Sequence, residues 1–201
     1  MKRLVFTGAF IMIACCAFSQ TIIPKAGVTL SKFGGSDIED AKFNLGFTLG
    51  VGFNFPIGEG AFSLQPELNF IQKGAKYEEG DYSEKLKLNY LEIPILAKAT
   101  FGEVTKFYVN VGPSLGYGLN GKVKVKEGSL EEDFDVNFGD EVDEIEKRMD
   151  VGLQLGAGVI IAEKIMIDLR YGLGLTSLNE ESKVKNNVLQ FTVGVPLSIG
   201  K

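Results

Sequence analysis

Between residues 43 and 55 the chain reads Phe-Asn-Leu-Gly-Phe-Thr-Leu-Gly-Val-Gly-Phe-Asn-Phe, each odd position large and apolar, each even one Asn, Gly or Thr. A helix turning about 100° per residue would scatter those side chains around its axis, whereas a strand puts all of them on one face. Period-two patterning of this length leaves few folds open.

The same code recurs along 107–117, 149–161, 165–176 and 189–199, and more loosely along 22–32, 61–73 and 86–99. Eight strands result, an even number. Two architectures bury them: a soluble barrel, apolar inside, or a membrane barrel, apolar outside. The second face decides between them, because it is crowded with Gly, Ser, Thr and Asn and carries occasional charges, Glu67, Glu92, Asp150, Asp168 and Arg170. Small residues suit the narrow interior of an eight-stranded barrel, and a soluble barrel would expose those glycines to water. The expected fold is therefore all-β, an eight-stranded antiparallel up-and-down transmembrane β-barrel. On that reading Leu153 and Leu169 face lipid and Gln154 faces the lumen.

Loop lengths alternate as well. Connections 56–60, 100–105 and 162–164 are short, whereas 32–42, 74–85, 121–147 and 177–187 are long. Outer-membrane barrels place short turns in the periplasm and long loops outside, so both termini are expected to be periplasmic. Two features disturb the pattern. Pro66, Pro94, Pro113 and Pro196 fall inside strands and call for bulges or strand ends. Leu86, Leu88 and Tyr90 also have the opposite parity to Leu91, Ile93 and Ile95, which reads as strand running beyond the membrane.

The N-terminus is a targeting segment. Lys2 and Arg3 precede an uncharged apolar run over 4–17, and Ala17-Phe18-Ser19 offers small residues before a cut. The domain reading is a signal peptide over 1–19 and a barrel domain over 20–201. Met12-Ile13-Ala14-Cys15 offers a competing lipidation site at Cys15. The 201-residue chain has no histidine and its two cysteines, Cys15 and Cys16, lie in the leader. This excludes Ser-His-Asp and Cys-His nucleophile systems and imidazole or thiolate metal sites. An enzyme is not expected, and no cofactor. A formal charge of -5 argues against nucleic acid.

The segments Phe62-Ser63-Leu64-Gln65-Pro66-Glu67-Leu68, Gln72-Lys73-Gly74 and Tyr90-Leu91-Glu92-Ile93-Pro94-Ile95-Leu96 stand with Val111-Gly112-Pro113, Gly116-Tyr117, Asp150-Val151-Gly152, Gly156-Ala157-Gly158 and Leu169-Arg170-Tyr171. Together they resemble the PorT-like outer membrane β-barrel family. The resemblance spans roughly 22–199. It implies an eight-stranded barrel in the outer membrane of a Gram-negative bacterium, typically of the Bacteroidota.

Two residue sets are candidate sites. Glu67, Glu92, Asp168 and Arg170 share inward parity and form an expected polar network in the lumen, with Arg170 the cation bridging Glu67 and Glu92. The segment 121–147 carries ten acids against four bases. Within it Asp133, Asp135, Asn137 and Glu144 take positions one, three, five and twelve of a calcium loop, although Phe138 occupies the position that such a loop gives to Gly. Phe134, Val136 and Phe138 alternate with the acids, which favours strand extension. The expected role is structural or interactive, with outer-membrane lipid and an envelope protein as partners and a monomeric barrel. The alternatives are a small transporter or secretion accessory, and a soluble exported lipid-binding barrel.

Overall fold

The computed structural model describes residues 21–35, 42–128, 130–138, 147–178 and 184–198. Ten strands follow in order: β1 (Thr21–Gly34), β2 (Asn44–Pro56), β3 (Phe62–Glu79), β4 (Tyr82–Phe101), β5 (Thr105–Glu127), β6 (Leu130–Val136), β7 (Met149–Ile161), β8 (Ile165–Gly174), β9 (Lys185–Gly194) and β10 (Leu197–Ser198). Eight of them form a ring. Each pairs antiparallel with its chain neighbour, β5 pairs β7, and β1 closes on β9 from Lys25↔Gly194 to Gly34↔Lys185. The two extra strands are appendages: β6 folds back on β5, and β10 resumes against β1 after Pro196 breaks the line.

The faces follow the alternation. Leu45, Phe47 and Leu49 on β2, Leu91, Ile93 and Ile95 on β4, Leu153 and Leu155 on β7, and Leu169 on β8 all point outward and are exposed, Leu155 by 63%. Between them Thr48, Glu92, Gln154, Asp168 and Arg170 point inward and are buried. A soluble lipid-binding barrel would need the reverse. On β4 the outward residues run from Leu91 to Phe101, ten steps or about 34 Å of strand. Tilted by ~40°, that matches an apolar band ~25 Å tall. No helix among the described residues is long and apolar enough to cross a membrane.

Two sequence expectations need correction. Residues 74–85 are not a loop: the β3–β4 ladder continues to Glu79↔Tyr82, and Gly80 makes the turn in the left-handed region at φ 57°. β5 likewise extends to Glu127 and returns as β6, so much of the acidic segment is ribbon. Nor is there a change of phase in β4. Leu86, Leu88 and Tyr90 share the inward parity of Glu92 and Lys98. What changes is the composition of the inward face, from polar to apolar. The irregularity lies on β5, where Asn89 faces Asn120 and Tyr90 faces Gly118, leaving Leu119 over. As for the prolines, the β3–β4 ladder skips from Pro66↔Ile95 to Asn69↔Glu92, and β4–β5 from Pro94↔Ser114 to Ala97↔Val111.

The apolar inward face becomes a cap over one end of the lumen. Ile71, Leu88, Tyr90, Phe138, Leu178 and Val188 form a buried cluster there. Phe138 meets Tyr90 edge-on, with ring centroids 5.6 Å apart. Gly118 makes room for that ring, since a Cβ at this position would lie 2.5 Å from the Phe138 ring. Arg148 donates to the Phe138 carbonyl and pins it in place.

Leu153→Arg and Leu169→Arg should each cost about 2–4 kcal/mol, as a cation does on the lipid face near the midplane. Val104→Arg, in a short turn, should cost nothing measurable. The folded fraction of protein refolded into vesicles, read by gel mobility without boiling, distinguishes these outcomes.

Candidate functional site

The inward parity of the strands brings eight charges into one confined space. Lys25, Lys73, Lys98 and Arg170 face Glu67, Glu92, Asp150 and Asp168, and all eight are buried. Burying a charge is costly unless it is paired and hydrogen-bonded, and almost all of these are.

Arg170 occupies the middle. Its Nη1 and Nη2 donate to the two oxygens of Glu67 at 2.9 and 3.2 Å, and Nη2 lies 2.9 Å from Asp168 Oδ1. Lys25 also donates to Glu67. Gln65 and Asn69 donate to the same carboxylate at 2.8 and 3.0 Å. Asp168 is completed by Tyr108 Oη at 2.8 Å and Asn110 Nδ2 at 3.1 Å. This group ties β1, β3, β5 and β8 together across the lumen.

A second group sits nearer the cap. Lys73 Nζ donates to Glu92 at 2.7 Å and to Asp150 at 3.0 Å, linking β3, β4 and β7. Asn186 of β9 donates to Asp150 at 3.2 Å. Gln154 joins the two groups: its amide accepts from Arg170 at 3.2 Å and donates to Glu92 at 3.0 Å. Arg170 therefore spans Glu67 and Asp168, not Glu67 and Glu92 as the sequence suggested. The reason is reach. Asp168 lies two residues away on the same face, whereas Glu92 already has a lysine on the adjoining strand.

Lys25, Lys73 and Lys98 are the residues that sequence reasoning missed. All three sit at inward parity in their strands, so the alternation itself contained the signal. Lys98 differs from the others. It donates to Gln65 at 3.1 Å and lies 4.0 Å above the Tyr108 ring, and forms no ion pair among the described residues.

This filling leaves little open space. A vestibule of about 380 Å³ opens at the short-turn end, lined by Ile23, Asn54, Ser63, Lys98 and Thr100. Beside Lys73, Glu92 and Asp150 the void is only about 10 Å³. Every carboxylate in the lumen is engaged by a cation, so what the arrangement offers chemically is cross-linking of strands.

The calcium-loop residues are placed differently. Asp133 and Asp135 lie in β6, opposite Lys124 and Lys122 on β5. Asp133 is 3.2 Å from Lys124 and 3.6 Å from Lys122, and Asp135 is 3.8 Å from Lys122. The hydrogen bond that Lys124 donates to Asp133, aided by that carboxylate's charge, holds Lys124 above the usual lysine value. Asn137 follows the strand, and Glu144 lies outside the described residues, as do the leader and Cys15. No group of three metal-ligating side chains occurs among the described residues.

The family model described as outer membrane protein beta-barrel domain matches residues 18–180. No curated protein sequence matches the chain. Among solved structures, Ail, the attachment invasion locus protein of Yersinia pestis, is 16% identical, with 89% of this chain and 99% of that one covered and a TM-score of 0.47. Neisserial surface protein A is 17% identical over 90% of this chain and 98% of its own, also at 0.47. The outer membrane enzyme PagL is 12% identical over 89% and 99%, at 0.48.

Arg170→Ala should destabilise the barrel by about 3–5 kcal/mol, the usual cost of stranding the partners of a buried cation. Glu67→Gln in that background should recover part of the loss. Glu92→Gln should recover none, because it takes a carboxylate from Lys73. Midpoints of the heat-induced mobility shift in detergent report all three.

Proposed function

The chain belongs to the outer membrane protein beta-barrel domain family, and from that membership we propose an integral outer-membrane barrel whose lumen is a structural core and whose tall hairpins make its contacts. The reading rests above all on the filled lumen. A path from the vestibule would have to pass the Arg170 group, the Lys73 group, where the void beside Glu92 and Asp150 is about 10 Å³, and the Phe138 cap. Eight-stranded barrels of this size hold side chains and not water columns. The proposed role is interaction at the cell surface, without catalysis, cofactor or nucleic acid. Outer-membrane lipid surrounds a monomeric barrel, an envelope protein is the further partner, residues 1–19 direct export, and both termini face the periplasm.

The narrower resemblance to PorT-like barrels favours a second reading, an accessory of a secretion system. Deletion of the gene would then retain secreted proteins in the cell while leaving the membrane intact.

The protein reconstituted in planar bilayers should carry no steady conductance, and a stable open channel would overturn the filled-lumen reading. In intact cells a membrane-impermeant maleimide should label Asp81→Cys in the β3–β4 turn. It should label Glu103→Cys, in a short turn, only after the outer membrane is breached. The opposite pattern would invert the topology.

A further inference from the structure

The β3–β4 and β5–β6 hairpins stand above the apolar band as one continuous four-stranded ribbon, and cross-strand pairing fixes which side chains share a face. One row across it reads Lys76, Lys85, Lys124 and Asp133, with Lys42 bridged to Lys76 at its end. The next row toward the membrane reads Gly74, Lys87, Lys122 and Asp135, and the next row toward the tip Glu78, Ser83, Lys126 and Glu131. Seven lysines thus share a face with four acids, in a chain where acids outnumber bases overall. The other face carries Ala75, Leu86, Val123 and Phe134 in one row and continues the lumen side.

Like charges set directly opposite one another destabilise a sheet. Here Lys85 lies between Lys76 and Lys124, and Lys87 lies opposite Lys122. The acids are marginal: Glu78 pairs with Lys42 and Lys76, and the β6 acids pair with Lys122 and Lys124. Lys85, Lys87 and Lys126 form no ion pair among the described residues. Nothing in the fold requires this repulsion.

The position of the lysines supplies the reason. They continue the outward parity of the lipid-facing band. Below them comes an amide ladder, Gln72 donating to Asn89 at 3.0 Å and Asn89 to Asn120 at 2.6 Å. Below that come Leu91 and Tyr117, paired and exposed. Apolar side chains, then amides, then ammonium groups follow the order in which a lipid presents chain, linkage and phosphate. The lysine rows begin about 7 Å along the strand from Asn89 and end about 20 Å from it, within reach of a headgroup layer.

We propose that this outward ribbon face docks the phosphate groups of outer-leaflet lipid, with Lys85, Lys87 and Lys124 at its centre. The proposal rests on the outer-membrane reading and on the hairpins facing outward. Each lysine near such an anionic surface contributes favourably, and salt screens the effect.

The full mature chain, refolded into phosphatidylcholine vesicles, would be titrated with a diphosphorylated glucosamine-disaccharide lipid and with its dephosphorylated form. The midpoint of heat-induced unfolding serves as the readout. The diphosphorylated lipid should raise the midpoint, and Lys85→Gln/Lys87→Gln/Lys124→Gln should weaken that response about tenfold or more. Without glycolipid the triple variant should be as stable as its parent or more so, because the opposed charges are gone. Lys106→Gln, at the other end of the barrel, should respond like the parent. An unchanged response in the triple variant, an equal response to the dephosphorylated lipid, or an equal shift from inorganic phosphate or a soluble sulfated polysaccharide would overturn the docking surface. Failure of the parent to insert into vesicles would overturn the outer-membrane reading and this proposal with it. Insertion without phosphate selectivity would overturn this proposal alone.

Discussion

A closed ladder of eight strands leaves an interior too narrow for bulk water, so each polar group turned inward must find its partner inside. Arg170 meets that constraint at the centre, with Glu67 on one side and Asp168 on the other. Arg170 and Asp168 share β8, but the other lumen pairs join residues of different strands, so each of those ion pairs also ties strands together. Glu67 links Arg170 of β8 to Lys25 of β1, and Lys73 of β3 collects Glu92 of β4 and Asp150 of β7. Ring closure brings the charges together, and the paired charges in turn hold the ring to one cross-section. A hydrophobic core could fill the same volume, but here the apolar side chains are needed on the outside.

That inversion orders the rest of the molecule. Outward residues are apolar over a height matching a bilayer core, and inward residues over the same height are mostly small or polar, with Ile23, Leu96 and Met166 as buried apolar exceptions. Above the band the two faces exchange character. The inward side becomes the Leu88, Tyr90 and Phe138 cap, and the outward side becomes lysine-rich. The exchange takes place along β4 without a change of phase, and along β5 with a one-residue shift at the extra Leu119.

Much of this was legible in the sequence, because one period-two signal specifies both the strands and their faces. All eight ring strands were found. The failures have physical causes. Residues 74–85 read as a loop because Lys76, Lys85 and Lys87 stand where apolar residues would mark an outward face. Leu88 and Tyr90 read as strand beyond the membrane because an apolar lumen cap has the same alternation as a lipid-facing wall, shifted by one. Pairing Arg170 with Glu92 followed from parity alone, which tells that two side chains point inward but not how high each sits. Lys25, Lys73 and Lys98 were visible by the same parity. A lysine in a strand is ordinarily a solvent marker, and only closure of the barrel turns it into a buried counter-charge.

The account stands or falls on which surface meets lipid. The chain contains no tryptophan, so single-tryptophan variants give an unmixed signal. Leu155→Trp, Phe138→Trp and Leu130→Trp would be refolded into vesicles whose acyl chains carry bromine near the bilayer centre. Strong quenching of Leu155→Trp alone is predicted, with Leu130→Trp quenched instead by aqueous acrylamide and Phe138→Trp shielded from both. Acrylamide access to Leu155→Trp, or bromine quenching of Phe138→Trp, would contradict the assignment of faces on which the structure depends.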